Sequence, residues 1–169
     1  MSAPIFVDTN VLLYALDASE SRKQAIAAAW LERLWKEGTG RTSVQVLSEY
    51  YVNATHKRRF DIKQDDAWAR VRLLHAWRPL PLDTELLARA RAIQSQFVLS
   101  WWDSLIVAAA QAQDCAVLLT EDLQDGGRYD DLVVRNPFTW NVQQPLAEHP
   151  LAIAAKPSHP RRGRPRKSA

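Results

Sequence analysis

Cysteine is almost missing: Cys115 is the single one in 169 residues, so no internal disulfide can form and the fold must rest on packing. Histidine is scarce too. His56, His75, His149 and His159 are scattered, and with one cysteine they give no zinc-ligand spacing. No stretch reaches the roughly 18 apolar residues of a membrane span. Met1 to Pro4 has no basic segment leading into an apolar run, so the expectation is a protein without an export signal, cytoplasmic and with no membrane contact. Glycines number five, and none forms a phosphate-cradling loop with its lysine, which speaks against nucleoside triphosphate hydrolysis. A Gly-x-Ser-x-Gly elbow is also missing, which speaks against an α/β hydrolase.

Acidic residues are missing from one region in particular. From Lys156 onward there are six Lys or Arg and no Asp or Glu, which leaves 16 basic against 19 acidic residues in the rest of the chain. A body of net charge −3 thus carries a basic tail, and such asymmetry marks a terminal arm for a polyanion. Prolines at 145, 150, 157, 160 and 165 disfavour an ordered core there. The predicted division is a domain over 1–142 and a tail over 143–169.

What is present is 47% hydrophobic residues, enough for one sizeable core. Ile5-Phe6-Val7 and Ala116 to Leu119 are short apolar runs that read as buried parallel strands. Leu132-Val133-Val134 reads as a third, and Arg41-Thr42-Ser43 as a short fourth. Between them, helical patterns run over Val11 to Leu16, from Ser19 to a stop at Gly38 and Gly40, and over Val44 to His56 with Leu47, Tyr51 and Ala54 inward. Further helices are predicted over Lys63 to Trp77, with Trp68, Val71 and Leu74 inward, from Asp83 with Leu86, Leu87, Ala90, Ile93 and Phe97 inward, and over Trp101 to Gln113. Helices alternating with apolar strands predict a parallel sheet covered on both faces. Most of the seven Trp residues fall on predicted inner faces and are read as core.

Sheets of this kind place their sites beyond the carboxyl ends of the strands. Asp8 ends the first strand, and Asp122 follows the Ala116 strand. Asp103 lies in the first turn of a helix, where the dipole favours its ionised form. Converging carboxylates repel one another, and a hard divalent cation with oxygen ligands, Mg²⁺ or Mn²⁺, resolves the conflict. Each residue also has a plain structural explanation. Asp8 can cap a helix, Ser100 with Asp103 matches a capping box, Asp122 can serve a turn, and Glu49 can be a solvated helix residue. A haloacid-dehalogenase-type phosphatase would want a second Asp where Asn10 stands.

Taken together, four segments resemble the motifs of PIN-domain nucleases, in particular the VapC-type toxins of bacterial toxin–antitoxin systems. They are Phe6-Val7-Asp8-Thr9-Asn10-Val11-Leu12-Leu13-Tyr14, Val46-Leu47-Ser48-Glu49-Tyr50-Tyr51-Val52-Asn53, Ser100-Trp101-Trp102-Asp103-Ser104-Leu105-Ile106 with the alanines that follow, and Leu118-Leu119-Thr120-Glu121-Asp122-Leu123. The likeness spans roughly residues 4–140. It implies a three-layer α/β/α sandwich with a central parallel sheet, usually dimeric. It also implies that Asp8, Glu49, Asp103 and Asp122 are the acidic positions that bind Mg²⁺ or Mn²⁺ for cleavage of RNA. Asp8, Asp103 and Asp122 would be the nearer ligands and Glu49 would act through water or a second metal, with Asn10 and Thr120 orienting the acidic group. A cognate antitoxin would hold such a toxin inactive, its segment lying in the active-site groove.

The tail departs from that pattern. Arg162-Gly163-Arg164-Pro165-Arg166-Lys167 resembles an AT-hook, a short element that lies in the minor groove of A·T-rich DNA. Gly163 permits close approach to the groove floor, Pro165 keeps the chain extended, and the arginines suit a narrow groove's potential. Lys57, Arg58 and Arg59 could hold an RNA backbone, or could simply complement a helix end. The alternatives to a toxin are a PIN-type nuclease without an antitoxin and an inert scaffold that binds DNA through the tail.

Overall fold

The structure, a computed structural model, describes residues 3–56, 59–60 and 62–143. The AT-hook-like segment and Lys57 and Arg58 lie outside the described residues. Five strands form one sheet in the order β2-β1-β3-β5-β4. They are β1 (Ile5–Val7), β2 (Gly40–Arg41), β3 (Val117–Leu119), β4 (Arg128–Tyr129) and β5 (Leu132–Arg135). All pairs are parallel except the edge pair of β4 with β5. Six helices accompany them: α1 (Thr9–Tyr14), α2 (Ser21–Glu37), α3 (Val44–His56), α4 (Gln64–Leu74), α5 (Thr84–Phe97) and α6 (Trp101–Ala112). Among the described residues no helix is long and apolar enough to cross a membrane.

The topology follows from the apolar runs. Ile5, Phe6, Val7, Leu118 and Leu119 are all completely buried, as central parallel strands require. The connection from β1 reaches β2 on one side, and the return from β2 passes β1 to reach β3 on the other. Right-handed crossovers in opposite directions place helices on opposite faces of the sheet. They also open a crevice between the ends of β1 and β3, where ligands of open α/β sheets bind. Helix α6 is buried from Ser104 to Ala110, and its run of alanines lets it lie close under the sheet.

The C-terminal turn completes the core. Trp30 of α2 is fully buried, stacks on Trp140 with ring centroids 4.8 Å apart, and donates its indole N–H to the Pro137 carbonyl oxygen at 3.2 Å. Gly38 ends α2 in the left-handed conformation, at φ 66°, as the sequence predicts. Gly40 is required for a different reason: a Cβ there would fall 2.4 Å from the Trp77 ring.

Several expectations are corrected. The strand expected over 41–43 forms one residue earlier, at Gly40–Arg41, and Ser43 instead makes an isolated parallel bridge with Leu80. The helix expected to end at Trp77 tightens after Leu74 into a 3₁₀ turn over His75–Trp77. Its inward residues are Ala67, Val71 and Leu74, and Trp68 is 53% exposed. Tyr50, not Tyr51, is the buried tyrosine of α3, and Leu87 of α5 is exposed. The tryptophans divide: Trp30, Trp77 and Trp140 are core, Trp101 is partly buried, and Trp35, Trp68 and Trp102 are exposed. Arg59 is committed to an ion pair with the fully buried Asp17, which also accepts from the Ser19 N–H and hydroxyl.

Candidate active site

The ends of β1 and β3 lie side by side, with the Asp8 N–H donating to the Leu119 carbonyl oxygen at 3.1 Å. Asp8 then caps α1, its Oδ1 accepting from the Thr9 N–H at 2.7 Å. Its other oxygen accepts from the Thr120 hydroxyl at 2.8 Å. The Asn10 amide nitrogen reaches three neighbours: Thr120 Oγ1 at 2.8 Å, Asp122 Oδ2 at 2.9 Å and Asp8 Oδ2 at 3.4 Å. The Asp122 N–H donates to Thr120 Oγ1 at 3.1 Å. Thus Asp8, Asn10, Thr120 and Asp122, from two segments far apart in sequence, form one hydrogen-bonded cluster. Capping and clustering coexist in Asp8, because its two oxygens do separate things.

Glu121, the neighbour that spacing could not separate from Asp122, points elsewhere. It pairs with Lys23 at 2.6 Å, and Lys23 also donates to the Tyr14 hydroxyl. Glu49 comes from α3. Its Oε2 accepts from the Thr9 hydroxyl at 3.2 Å and its Oε1 from the Gln45 amide at 2.9 Å. Asp103 stands in the first turn of α6, where Ser100 caps the helix, accepting from the Asp103 N–H and donating to Asp103 Oδ2 at 2.6 Å. Thr9 and Gln45 are the positioning residues that sequence reasoning missed. Gln45 was findable, because it lies one helical turn before Glu49.

All four acidic side chains line one cleft of about 740 Å³. They do not all converge on a point. Among the described residues, no three acidic, histidine or cysteine groups stand close enough to hold one ion as placed. Asp8 and Asp122 are brought together by the Asn10 amide, while Glu49 and Asp103 stand on other walls.

Electrostatics still couples three of the four, Asp8, Asp122 and Glu49. Burial pushes the Asp8 carboxyl up from 3.8 to about 7, and the charges of Asp122 and Glu49 push the same way, against the Thr120 and Thr9 hydrogen bonds. The side-chain Oδ1 of Asn10 is buried without a hydrogen-bond partner. An all-oxygen donor set around a carboxylate whose charge is disfavoured fits a hard cation such as Mg²⁺, which keeps several waters and needs only one or two direct carboxylates.

A stability consequence follows for the metal-free protein. Between about 4 and about 7 the folded state holds a proton on Asp8 that the unfolded chain has released. Stability from this group is therefore complete below about 4 and is lost as pH rises through about 7. Thermal melts in a chelator are expected to show that decline in the wild type and a flatter profile in Asp8→Asn. Equal slopes in the two proteins would contradict it.

A cleft lined by four carboxylates at the switch point of a mostly parallel sheet places this protein among the open α/β folds whose ligand site lies beyond the carboxyl ends of the strands. The comparisons name the family. The PIN domain model matches residues 5–124, and the chain belongs to the PIN domain family. Three solved structures share the fold. A toxin–antitoxin complex from Klebsiella pneumoniae is 20% identical, with TM-score 0.55, over 80% of this chain and 98% of that one. VapBC2 from Rickettsia felis, bound to a DNA fragment from its promoter, is 18% identical, with TM-score 0.57, over 81% and 98%. FitAcB from Neisseria gonorrhoeae is 22% identical, with TM-score 0.56, over 80% and 99%. A comparison with curated proteins returns no match.

Proposed function

We propose that this protein is a divalent-metal-dependent endoribonuclease and the toxin of a toxin–antitoxin pair. The observation that carries the reading is that Asp8, Glu49, Asp103 and Asp122, drawn from four separate segments, line a single cleft. Membership of the PIN family and the shared fold with toxin–antitoxin proteins support it.

Asp8 and Asp122 would be the direct ligands, with Asp103 and Glu49 holding a second ion or a metal-bound water from the facing walls. The metal, when bound, supplies an activated water and neutralises charge developing on the phosphodiester. Thr120 and Asn10 keep Asp8 and Asp122 in place, and Asn10 donates to both. Gln45 and Thr9 hold the Glu49 carboxylate from two directions. Ser100 fixes Asp103. Neither His56 nor His75 lines the cleft, so no histidine base is invoked. The test is cleavage of RNA by the purified protein with Mg²⁺ or Mn²⁺ and with a chelator. Cleavage that persists undiminished in chelator would overturn the reading.

The partners that follow are an RNA substrate, a cognate antitoxin and a second copy of the chain. The division into a nuclease domain over 1–142 and a basic tail over 143–169 is part of the same reading, as is binding of A·T-rich DNA through Arg162, Gly163, Arg164, Pro165 and Arg166. A chain ending at Ala155 is expected to cleave RNA at the full-length rate and to lose DNA affinity. A salt-titrated assay of the full chain on A·T-rich and G·C-rich duplexes checks the hook, and equal affinities would remove it.

A further inference from the structure

Nine large apolar side chains are exposed among the described residues, and four of them, Val44, Val52, Leu82 and Trp102, line the same cleft as the carboxylates. Trp102 is the most open of the four, 62% exposed, and precedes Asp103 directly on α6. Scattered exposed apolar residues mean little, but a contiguous set beside a polar site marks a surface that is covered in use.

The charges narrow down what covers it. The described residues lining the cleft include four carboxylates and no Lys or Arg. Among the described residues lining this cleft, none offers a nucleic acid a cation to grip its phosphates. What these lining residues themselves contribute to affinity near the reacting phosphate then comes through a bound metal and through contacts that carry no charge. An exposed indole supplies the strongest such contact, by stacking on the face of an unpaired base. The smaller apolar side chains can cover the edges of that base. Asn53, also in the lining, donates its amide to the Glu49 carbonyl oxygen at 2.8 Å, which leaves its Oδ1 free to accept from an exocyclic amino group.

We propose that Trp102 is the platform on which a base flanking the scissile phosphate stacks. The proposal rests on the nuclease reading and adds a substrate-positioning residue to it. A duplex keeps its bases stacked on one another and cannot offer a free face to the indole. Single-stranded chain can, whatever its sequence, with purines favoured by their larger rings.

The test compares the full-length wild type with Trp102→Ala and Trp102→Phe. Trp102 is largely solvent-exposed, so both variants are expected to fold, and a melting curve verifies it. Binding of labelled single-stranded oligoadenylate of about 12 nucleotides is followed by anisotropy with Ca²⁺ in place of Mg²⁺. An abasic strand of equal length and charge and an RNA duplex are measured alongside. The basic tail contributes alike in every variant. Trp102→Ala is expected to bind oligoadenylate roughly tenfold or more weakly, while Trp102→Phe stays within about threefold. The abasic strand should bind wild type and Trp102→Ala alike. In cleavage, the loss should fall on KM with kcat nearly kept, as for a contact equal in ground and transition states.

If the wild type cleaves RNA and Trp102→Ala matches it in affinity and KM, the stacking proposal is wrong and the nuclease reading stands. If the wild type neither binds nor cleaves RNA, both fall. If Trp102→Ala retains RNA affinity but loses a purified protein partner, the surface belongs to that partner and the proposal falls alone.

Discussion

Asp103→Asn is expected to lower the single-turnover rate of RNA cleavage by on the order of 100-fold or more while leaving the fold intact. The rate effect is large because Asp103 lines the cleft proposed to hold the metal, and removing one group that acts on charge developing in the transition state typically costs about two to three orders of magnitude. The structural effect is small for an identifiable reason. Ser100 caps α6 by accepting from the backbone N–H of residue 103 at 3.1 Å, and that bond survives the substitution. The Asn oxygen can still accept from the Ser100 hydroxyl, which now reaches Asp103 Oδ2 at 2.6 Å. Loss of the charge from the first helical turn costs about 0.3–1 kcal/mol. Cleavage and melting measured on the same preparation separate the two effects. A rate within about threefold of wild type would mean that Asp103 takes no part in catalysis.

The largest stability effect is expected at Trp30→Ala, a loss of about 3–5 kcal/mol. That is a large share of the roughly 5–15 kcal/mol typical of a folded domain. Trp30 is completely buried, stacked on Trp140 and bonded to the Pro137 carbonyl oxygen. Truncation leaves a cavity, removes the stacking partner of Trp140 and strands a carbonyl oxygen at once. Trp68→Ala, on an exposed ring that meets Tyr51 edge-on, is expected to cost about 1 kcal/mol or less. Urea titrations of the two variants give the comparison. Equal losses would mean that the C-terminal turn does not close the core as described.

The central strands were legible because their chemistry is extreme. A strand buried on both faces must be apolar throughout, and Ile5-Phe6-Val7 and Val117-Leu118-Leu119 are. Asp8 and Asp122 stood out by their place just beyond those strands, although position alone did not separate a site from a cap or a turn, and Asp8 does cap α1. The edge strand β4 was not. Arg128 and Tyr129 make a two-residue strand with no apolar run, held by antiparallel pairing to β5 rather than by burial.

The tryptophans misled for a related reason. On α4, the pattern predicts an inward stripe of Trp68, Val71 and Leu74. The structure turns Ala67 inward instead, where a small side chain lets the neighbouring helices approach closely. Trp102 lies one turn before the buried Leu105 and Ile106 and reads as core by periodicity. The first turn of α6 overhangs the cleft, so the same helical face passes from core to open surface.

Within the site, spacing alone could not choose Glu49 or prefer Asp122 to Glu121. The choice depends on partners distant in sequence or a turn away: Thr9 and Gln45 for Glu49, Asn10 for Asp122, and Lys23, which draws Glu121 away. The resemblance to a known family supplied those positions. The structure places all four acidic residues along one cleft.

The most direct test is a crystal of the protein grown or soaked with Mn²⁺ and measured for anomalous scattering. The expected result is a peak in the cleft about 2.0–2.3 Å from an Asp8 oxygen, with Asp122 as a neighbouring ligand and Asp103 or Glu49 reached directly or through water. A manganese ion bound elsewhere, with the Asp8 and Asp122 carboxylates left to protein hydrogen bonds alone, would contradict a metal-dependent active site.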